Sequence, residues 1–389
     1  MSYGKSAERM NEFLLRNGSD EFKARTIDWI CTDVGDRLLK EDMQWCREIL
    51  HQHGFDPDDG SLLPATVLPI SMTAPSVPAA ESTFTAEQVW ELIDRYNEKA
   101  PCEEGKIKPQ SVYVQSVERA PQATVYFCID EILTKHQNDK RNTKKGGKSS
   151  KTGKFVFTTV VYVLSREGVY RMVSKDIESG VRMALAYMLQ NDLLANRNLV
   201  IYSDGAKKIK AEVDRVFGFR PFTYHLDYYH VCSRVYQELS RALYGGAENK
   251  AANHVLSGEI HTRIWAGNID EAINYIKNID KKRIKRQANL DAVVAYLEAR
   301  KESMSCFALR SAMGLLNSSN RVECSNAQVC GRRQKRKSMS WSHRGSRALS
   351  AITAAYCNGE QDNLLSGRKL SHSPWQCANE PIIIRREAV

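Results

Sequence analysis

Apolar residues recur at helical spacing in AERMNEFLLRNG (7–18) and EDMQWCREILHQHG (41–54), each closed by a glycine, so residues 1–60 predict a helical N-terminal region. The stretch 57–83 is rich in Pro, Ser and Ala without a period and predicts a linker, bounded at 61–84. Thr85 is the expected N-cap of the helix AEQVWELIDRYNEKA. From about residue 110 the pattern shortens to β-runs: SVYVQSVE, then ATVYFCID (123–130), a nearly continuous apolar strand ending on a carboxylate. FVFTTVVYVL (155–164) and GVYRMVS (168–174) form a predicted hairpin about the turn SREG. A helix over 176–192 with Asp176 near its start, a second buried strand NLVIYSDG (198–205), a helix AKKIKAEVDRVFG and a short strand PFTYHLDYYH (221–230) follow. Residues 231–316 lose the β signal and read as several helices. A helix starts near Asn320, and RALSAITAAYCNG (347–359) is another; from 360 the chain is polar and irregular. That alternation predicts an α/β fold, a mixed sheet flanked by helices, with the two most apolar strands central.

Composition narrows the class. Of 389 residues, 42% are hydrophobic and 26% charged, as in a globular chain with a sizeable core. The net charge of +10 favours a polyanionic partner or plain solubility. No apolar run reaches the roughly 18–20 residues that span a bilayer, and MSYGKSAERMNEF has no apolar core of a signal peptide. No membrane partner and a cytoplasmic location are expected. Ten cysteines at irregular spacing include no C-x-x-C pair, which suits reduced thiols rather than a zinc ribbon.

The candidate chemistry lies in acids. Asp130 and Asp204 each follow a buried-type strand, at the strand ends where α/β sheets place their crevices. Each can also be only a turn residue or a helix cap. As neighbours they would repel unless a divalent cation, Mg²⁺ or Mn²⁺ by its hard oxygen ligands, lay between them. Glu323 would fall in the first turn of the helix near Asn320, with Asn326 and Gln328 near its face, and can supply a third carboxylate. Glu131 follows Asp130 directly, and strand alternation puts the two on opposite faces; Asp130 is preferred. Asp227 ends a third predicted strand, where it can orient His230, contact a metal or DNA, or simply form a structural hydrogen bond with that histidine. Arg332, Arg333, Lys335, Arg336 and Lys337 would continue down the late helix as phosphate contacts. The run 135–154, with Lys140, Arg141, Lys144, Lys145 and Lys148, reads as a basic loop beside Asp130. Trp265 and Trp341 can stack on bases or be buried, whereas Cys324 reads as a small packing residue.

Four stretches together, VYFCIDE (125–131), IYSDGAKKIK (201–210), HLDYYH (225–230) and SSNRVECSNAQVCGRRQKRKSMSWSHRGSRAL (318–349), resemble the DDE-type transposases of bacterial insertion sequences, most of all the ISKra and ISLre groups related to Mutator-like elements. The resemblance covers roughly residues 120–360. It implies an RNase H-like mixed five-stranded sheet over 85–230 and 317–360, interrupted by an all-helical insertion over 231–316, with a tail over 361–389. It implies that Asp130, Asp204 and Glu323 hold two Mg²⁺ or Mn²⁺ ions, with Asp227 and His230 as the accessory Asp-x-x-His pair. The activity implied is DNA strand cleavage and strand transfer. The partners implied are double-stranded DNA, both element ends and target, and further copies of the chain in a DNA-bound homodimer or larger assembly in the bacterial nucleoid. Two other readings stay open: an RNase H-like nuclease or resolvase without joining, and a non-catalytic DNA-binding descendant. The first 110 residues carry no recognisable DNA-binding motif.

Overall fold

A computed structural model describes residues 3–14, 21–77, 81–108, 120–137, 155–317, 320–336 and 339–376. The expected strand SVYVQSVE lies outside them. In chain order come α1 (Tyr3–Phe13), α2 (Ala24–Gln52), α3 (Ile70–Thr73) and α4 (Ala86–Glu98). Next are β1 (Thr124–Lys135), β2 (Phe155–Ser165), β3 (Gly168–Ser174), α5 (Ile177–Gln190), β4 (Asn198–Ser203), α6 (Lys207–Phe217) and β5 (Thr223–Leu226). A helical stretch follows: α7 (Tyr228–Ala242), α8 (Ala247–Trp265), α9 (Ile269–Lys277), α10 (Gln287–Glu298) and α11 (Phe307–Ala312). The last described helices are α12 (Asn320–Asn326), α13 (Arg332–Gln334), α14 (His343–Cys357) and α15 (Gln361–Leu365).

The five strands form one mixed sheet in the order β3-β2-β1-β4-β5, flanked by helices. β1 pairs antiparallel with β2 and parallel with β4, and β4 pairs parallel with β5. Alternation along β1 sorts its side chains. Val125, Phe127 and Ile129 join the core under α5 and α6. Tyr126 and Cys128 meet Tyr162, Val200 and Tyr202 on the other face. Further along that face, Ile132 meets Val160, Val329, Cys330 and Ala354, so the chain after α12 and helix α14 cover it. Helix α5 is buried almost throughout, because the sheet lies beneath it and α2 and α6 pack on it from outside.

The N-terminal region is helical, and its α2 runs 29 residues and packs on both α14 and α5. The expected linker is held to the core by Leu62, Leu68 and Met72, and the Ser71 carbonyl accepts from the Asn196 N–H. A few spaced apolar residues suffice for that, and a Pro/Ser/Ala composition hides them. Thr85 caps α4 in a full capping box with Gln88, as expected. Val89 and Ile93 of that helix nevertheless pack with Ala308, Leu309 and Met313, so α4 belongs with the helical stretch rather than the sheet.

The crossing of α2 with α14 depends on one missing side chain. A Cβ on Gly35 would stand 2.5 Å from Ala348 Cα, which is backbone and cannot swing aside. Gly258, in the exposed part of α8, has open space where a Cβ would go. Gly35→Ala should therefore lower the unfolding free energy by about 1–3 kcal/mol, whereas Gly258→Ala should raise it by about 0.5–1 kcal/mol. Urea unfolding of the two variants reads both signs, and equal effects would contradict the packing argument.

Candidate functional site

The register of β1 on β4 brings the two aspartates together. Thr124 pairs with Asn198 and Cys128 with Tyr202, both members of that last pair facing the same side of the sheet. Two residues further, the same register sets Asp130 level with Asp204 on that face. β4 stops at Ser203, and Gly205, at φ +82°, turns the chain towards α6. β1 does not stop at Asp130 as expected; it runs on to Lys135, paired along its length with β2 and past Cys128 no longer with β4. The alternating polar residues after Asp130 read as a strand end in the sequence, yet they belong to a long hairpin arm. β4 leaves β1 at the carboxyl end of the parallel pair, the position where open α/β sheets place their functional cleft.

Charge in the cleft is unbalanced. Burial, then the nearby Asp204 carboxylate, push the Asp130 carboxyl up to about 6; Glu323 adds to this, and His230 and the Glu131 N–H oppose it. Asp204 is exposed, and its Oδ1 accepts from the Ala206 N–H at 2.8 Å, so it is a turn residue as well as a site acid. Glu131 also titrates above its usual range, through burial, although Lys208 opposes the shift. Lys208 pairs with Glu178 of α5, which places Glu131 on the opposite face from Asp130.

Helix α12 docks on Asp130 directly: the Asn326 amide donates to Asp130 Oδ2 at 2.6 Å. Beside it, Ser325 accepts from the buried Arg171 guanidinium at 3.2 Å. A π turn over Ala327–Gly331 interrupts the helix just after Asn326. Before α12, the buried Arg310 of α11 donates to the Leu316 carbonyl at 2.9 Å and also bonds the Tyr202 hydroxyl. Its third partner is His225 Nε2 at 3.2 Å. The side chain of Arg310 thus ties the approach to α12 to β4 and β5. Sequence reading put Asn326 near the face of Glu323 but missed Arg310, whose only signal is a cation inside the apolar run CFALRSAMGLL.

Glu323 turns to His230, at 3.7 Å from Nε2, while His230 Nδ1 stands 3.5 Å from Asp227 Oδ1. These are ion-pair separations rather than hydrogen bonds. Asp227 raises His230 above its ordinary range against the effect of burial, and Asp130 and Asp204 add to the rise. Asp227 itself does not end a strand. β5 stops at Leu226, and Asp227 is the buried N-cap of α7, accepting from the His230 N–H at 3.1 Å.

The structure therefore gathers Asp130, Asp204, Glu323, Asp227 and His230 in one neighbourhood. Hard carboxylate oxygens at Asp130 and Asp204 suit a divalent cation. Among the described residues, however, no three Asp, Glu, His or Cys side chains surround one point as a metal requires. Asn326 holds one oxygen of Asp130, and Glu323 faces His230 instead.

The basic candidates divide. Arg332, Lys335 and Arg336 are exposed, but the π turn and the end of α13 at Gln334 replace the continuous helix expected there. Arg333 lies over the rings of Tyr3 and Trp341, at 5.1 and 5.6 Å. Trp341 is 6% exposed, donates Nε1–H to the Gln334 carbonyl, and so has no face for a base. Its backbone N–H donates to the Lys135 carbonyl and its carbonyl accepts from Gln137, which extends the β1 arm. Trp265 is packed between Tyr228 and Phe307. Cys324 is exposed, not a packing residue. Lys140, Arg141, Lys144, Lys145, Lys148 and Lys337 lie outside the described residues.

Asp130 yields a signed pH effect. Its folded value of about 6 lies above the unfolded one, so the folded state binds this proton more tightly. Its cost is absent below about pH 4, grows as pH rises, and is complete above the folded value, on the order of 3 kcal/mol. Asp130→Asn should raise unfolding free energy at pH 8 and leave it nearly unchanged at pH 4. Asp204→Asn should move the Asp130 carboxyl titration, followed by carbon NMR, downward; an unmoved midpoint would show that the two acids do not interact.

Residues 115–366 match the family model described as Uncharacterised protein family (UPF0236). No curated protein and no solved structure matches the chain. Because the match spans more than half of the 389 residues, the chain belongs to the uncharacterised protein family UPF0236.

Proposed function

We propose that the protein is a DNA transposase, cutting DNA strands and joining them elsewhere by metal-dependent phosphoryl transfer at an RNase H-like site. The observation that carries this reading is the meeting of three distant segments: β1 with Asp130, the end of β4 with Asp204, and α12 with Glu323, anchored on Asp130 through Asn326. These are the first strand, fourth strand and late helix from which the resemblance draws its acids. The Asp-x-x-His pair stands beside them, with His230 facing Glu323. In this reading α7 to α11 are the helical insertion, and DNA of the element ends and target, with further copies of the chain, are the partners. No helix among the described residues is long and apolar enough to cross a membrane.

Asp130 and Asp204 would hold Mg²⁺ or Mn²⁺, two ions by the resemblance, with Glu323 joining once it leaves His230. Bound there, the ions would stabilise charge on the attacking and leaving oxygens. The chain's own part is electrostatic. Asp130, pushed up to about 6, must shed its proton for the site to be fully anionic. His230, raised above its ordinary range chiefly by Asp227, takes up a proton beside the acids more readily than a free imidazole. The exposed Arg332, Lys335 and Arg336 present charge to phosphates near α12.

The test uses a plasmid carrying the gene with its native flanks, purified protein and Mg²⁺. Joined products are expected from the wild type. Asp130→Asn and Asp204→Asn should each cut the rate by at least ~10³-fold, the equivalent of several kcal/mol of lost stabilisation. Cleavage without joining would make the protein a nuclease, and DNA binding with neither step would make it a non-catalytic binder.

A further inference from the structure

Helix α7 starts at the acidic cleft, with Asp227 as its cap and His230 in its first turn, and runs away from it for 15 residues. Its outer surface repeats. Tyr229 and Tyr236 are seven residues apart, and so are Arg234 and Arg241. Seven residues bring a helix back to within about 20° of the same direction and about 10.5 Å further along. The two tyrosines therefore form one stripe and the two arginines another. Between the stripes lie Ser233, Gln237 and Ser240, while Val231, Val235 and Leu239 face the core.

Both stripes point outward. Tyr229 is 66% exposed and Tyr236 is 53% exposed, unusually open for rings of this size. Among the described residues the one ring contact of Tyr229 is the edge of His230, with ring centres 5.9 Å apart, beside the acids. The Tyr236 ring has no ring or hydrogen-bond partner among the described residues. The arginines are exposed but held: Glu238, buried beneath them, pairs with Arg234 at 3.2 Å and Arg241 at 2.9 Å. The other oxygen of Glu238 accepts from Asn289 of α10 at 2.9 Å, so the anchor is fixed from below. One carboxylate under two guanidiniums leaves the face net positive.

Open rings along one edge and cations along the other match a nucleic-acid strand whose bases are not paired. Exposed π faces accept any base, and the guanidiniums take the backbone phosphates. A duplex keeps its bases stacked inside and offers the rings nothing. We propose that the outer face of α7 is a track for single-stranded DNA leading to or from the carboxylate cleft, with Tyr229 and Tyr236 stacking on bases and Arg234 and Arg241 holding phosphates. The proposal rests on the reading that the cleft acts on DNA, and it adds that a strand is unpaired beside it.

The test is binding without chemistry. Fluorescence anisotropy in EDTA compares a labelled single strand of about 20 nucleotides, longer than one stacking site, with the duplex of the same sequence. The double variant Y229A/Y236A should bind the single strand about tenfold or more weakly and the duplex as before. Y229F/Y236F keeps both rings and should bind like the wild type. Thermal unfolding of each variant should match the wild type, since both side chains are exposed.

Equal weakening for single strand and duplex would overturn the proposal, as would no weakening for either. So would a wild-type dimer in sedimentation that Y229A/Y236A breaks, because the face would then join copies of the chain. The two readings fail separately. A wild type that joins strands while Y229A/Y236A binds single strands normally loses only the track. Ring-dependent binding of single strands by a protein that never cuts loses only the transposase reading.

Discussion

The contact between Asn326 and Asp130 constrains everything around it, because it joins residues 196 positions apart across the face of the sheet. A helix cannot reach back that far on one hydrogen bond. Arg310 fixes the approach by binding the Leu316 carbonyl just ahead of α12, and Arg171 holds Ser325 one residue before Asn326. Asn358 secures the far end, where its amide exchanges hydrogen bonds with both backbone groups of Arg171 on β3, like an added strand residue. Both arginines are buried, which is costly for a charge unless its donors are satisfied. Their donors go to carbonyls, a hydroxyl, an imidazole and aromatic faces, so the desolvation is offset where the late helix must be held still.

The same docking sets the electrostatic character of the cleft. Asn326 supplies Asp130 with a neutral donor rather than a cation, so it positions the carboxylate without relieving the repulsion from Asp204. What relief there is comes from His230, itself held between Asp227 and Glu323. The neighbourhood is thus tense and rich in anions, a state that an arriving cation would stabilise. In the proposed transposase reading that tension is the means of recruiting metal. Glu323, exposed and tethered only loosely, is the acid best able to change partners.

Much of this was visible in the order of residues. The apolar runs of β1 and β4 marked central strands, and an acid after each marked the cleft, because buried parallel strands tolerate few polar residues. The cap Thr85 was legible because a short polar side chain before a helical run has one common use, whereas Asp176, expected only near the start of its helix, proves to be its cap. Long-range partners were not legible. Trp341 looks the same in sequence whether its ring meets a base or, as here, Arg333 and Tyr3. The extent of β1 past Asp130 depends on pairing with β2, and the length of α2 on packing with α14 and α5. The π turn after Asn326, which shifts the register of the expected basic helix before it ends at Gln334, has no local signal at all.

The short pairing of Trp341 with the β1 arm has a further physical meaning. It stitches the chain just after the basic residues 332–337 to the chain just before the basic residues 140–154. The described segments at Lys135–Gln137 and at Trp341, remote in sequence, are thereby held side by side. In the proposed reading, basic residues of both runs engaging one DNA would together release its condensed counterions into solution, so the salt sensitivity of binding would reflect their combined charge rather than that of either run. A hydrogen-bond pair between two backbone segments thus sets how steeply the molecule would respond to ionic strength.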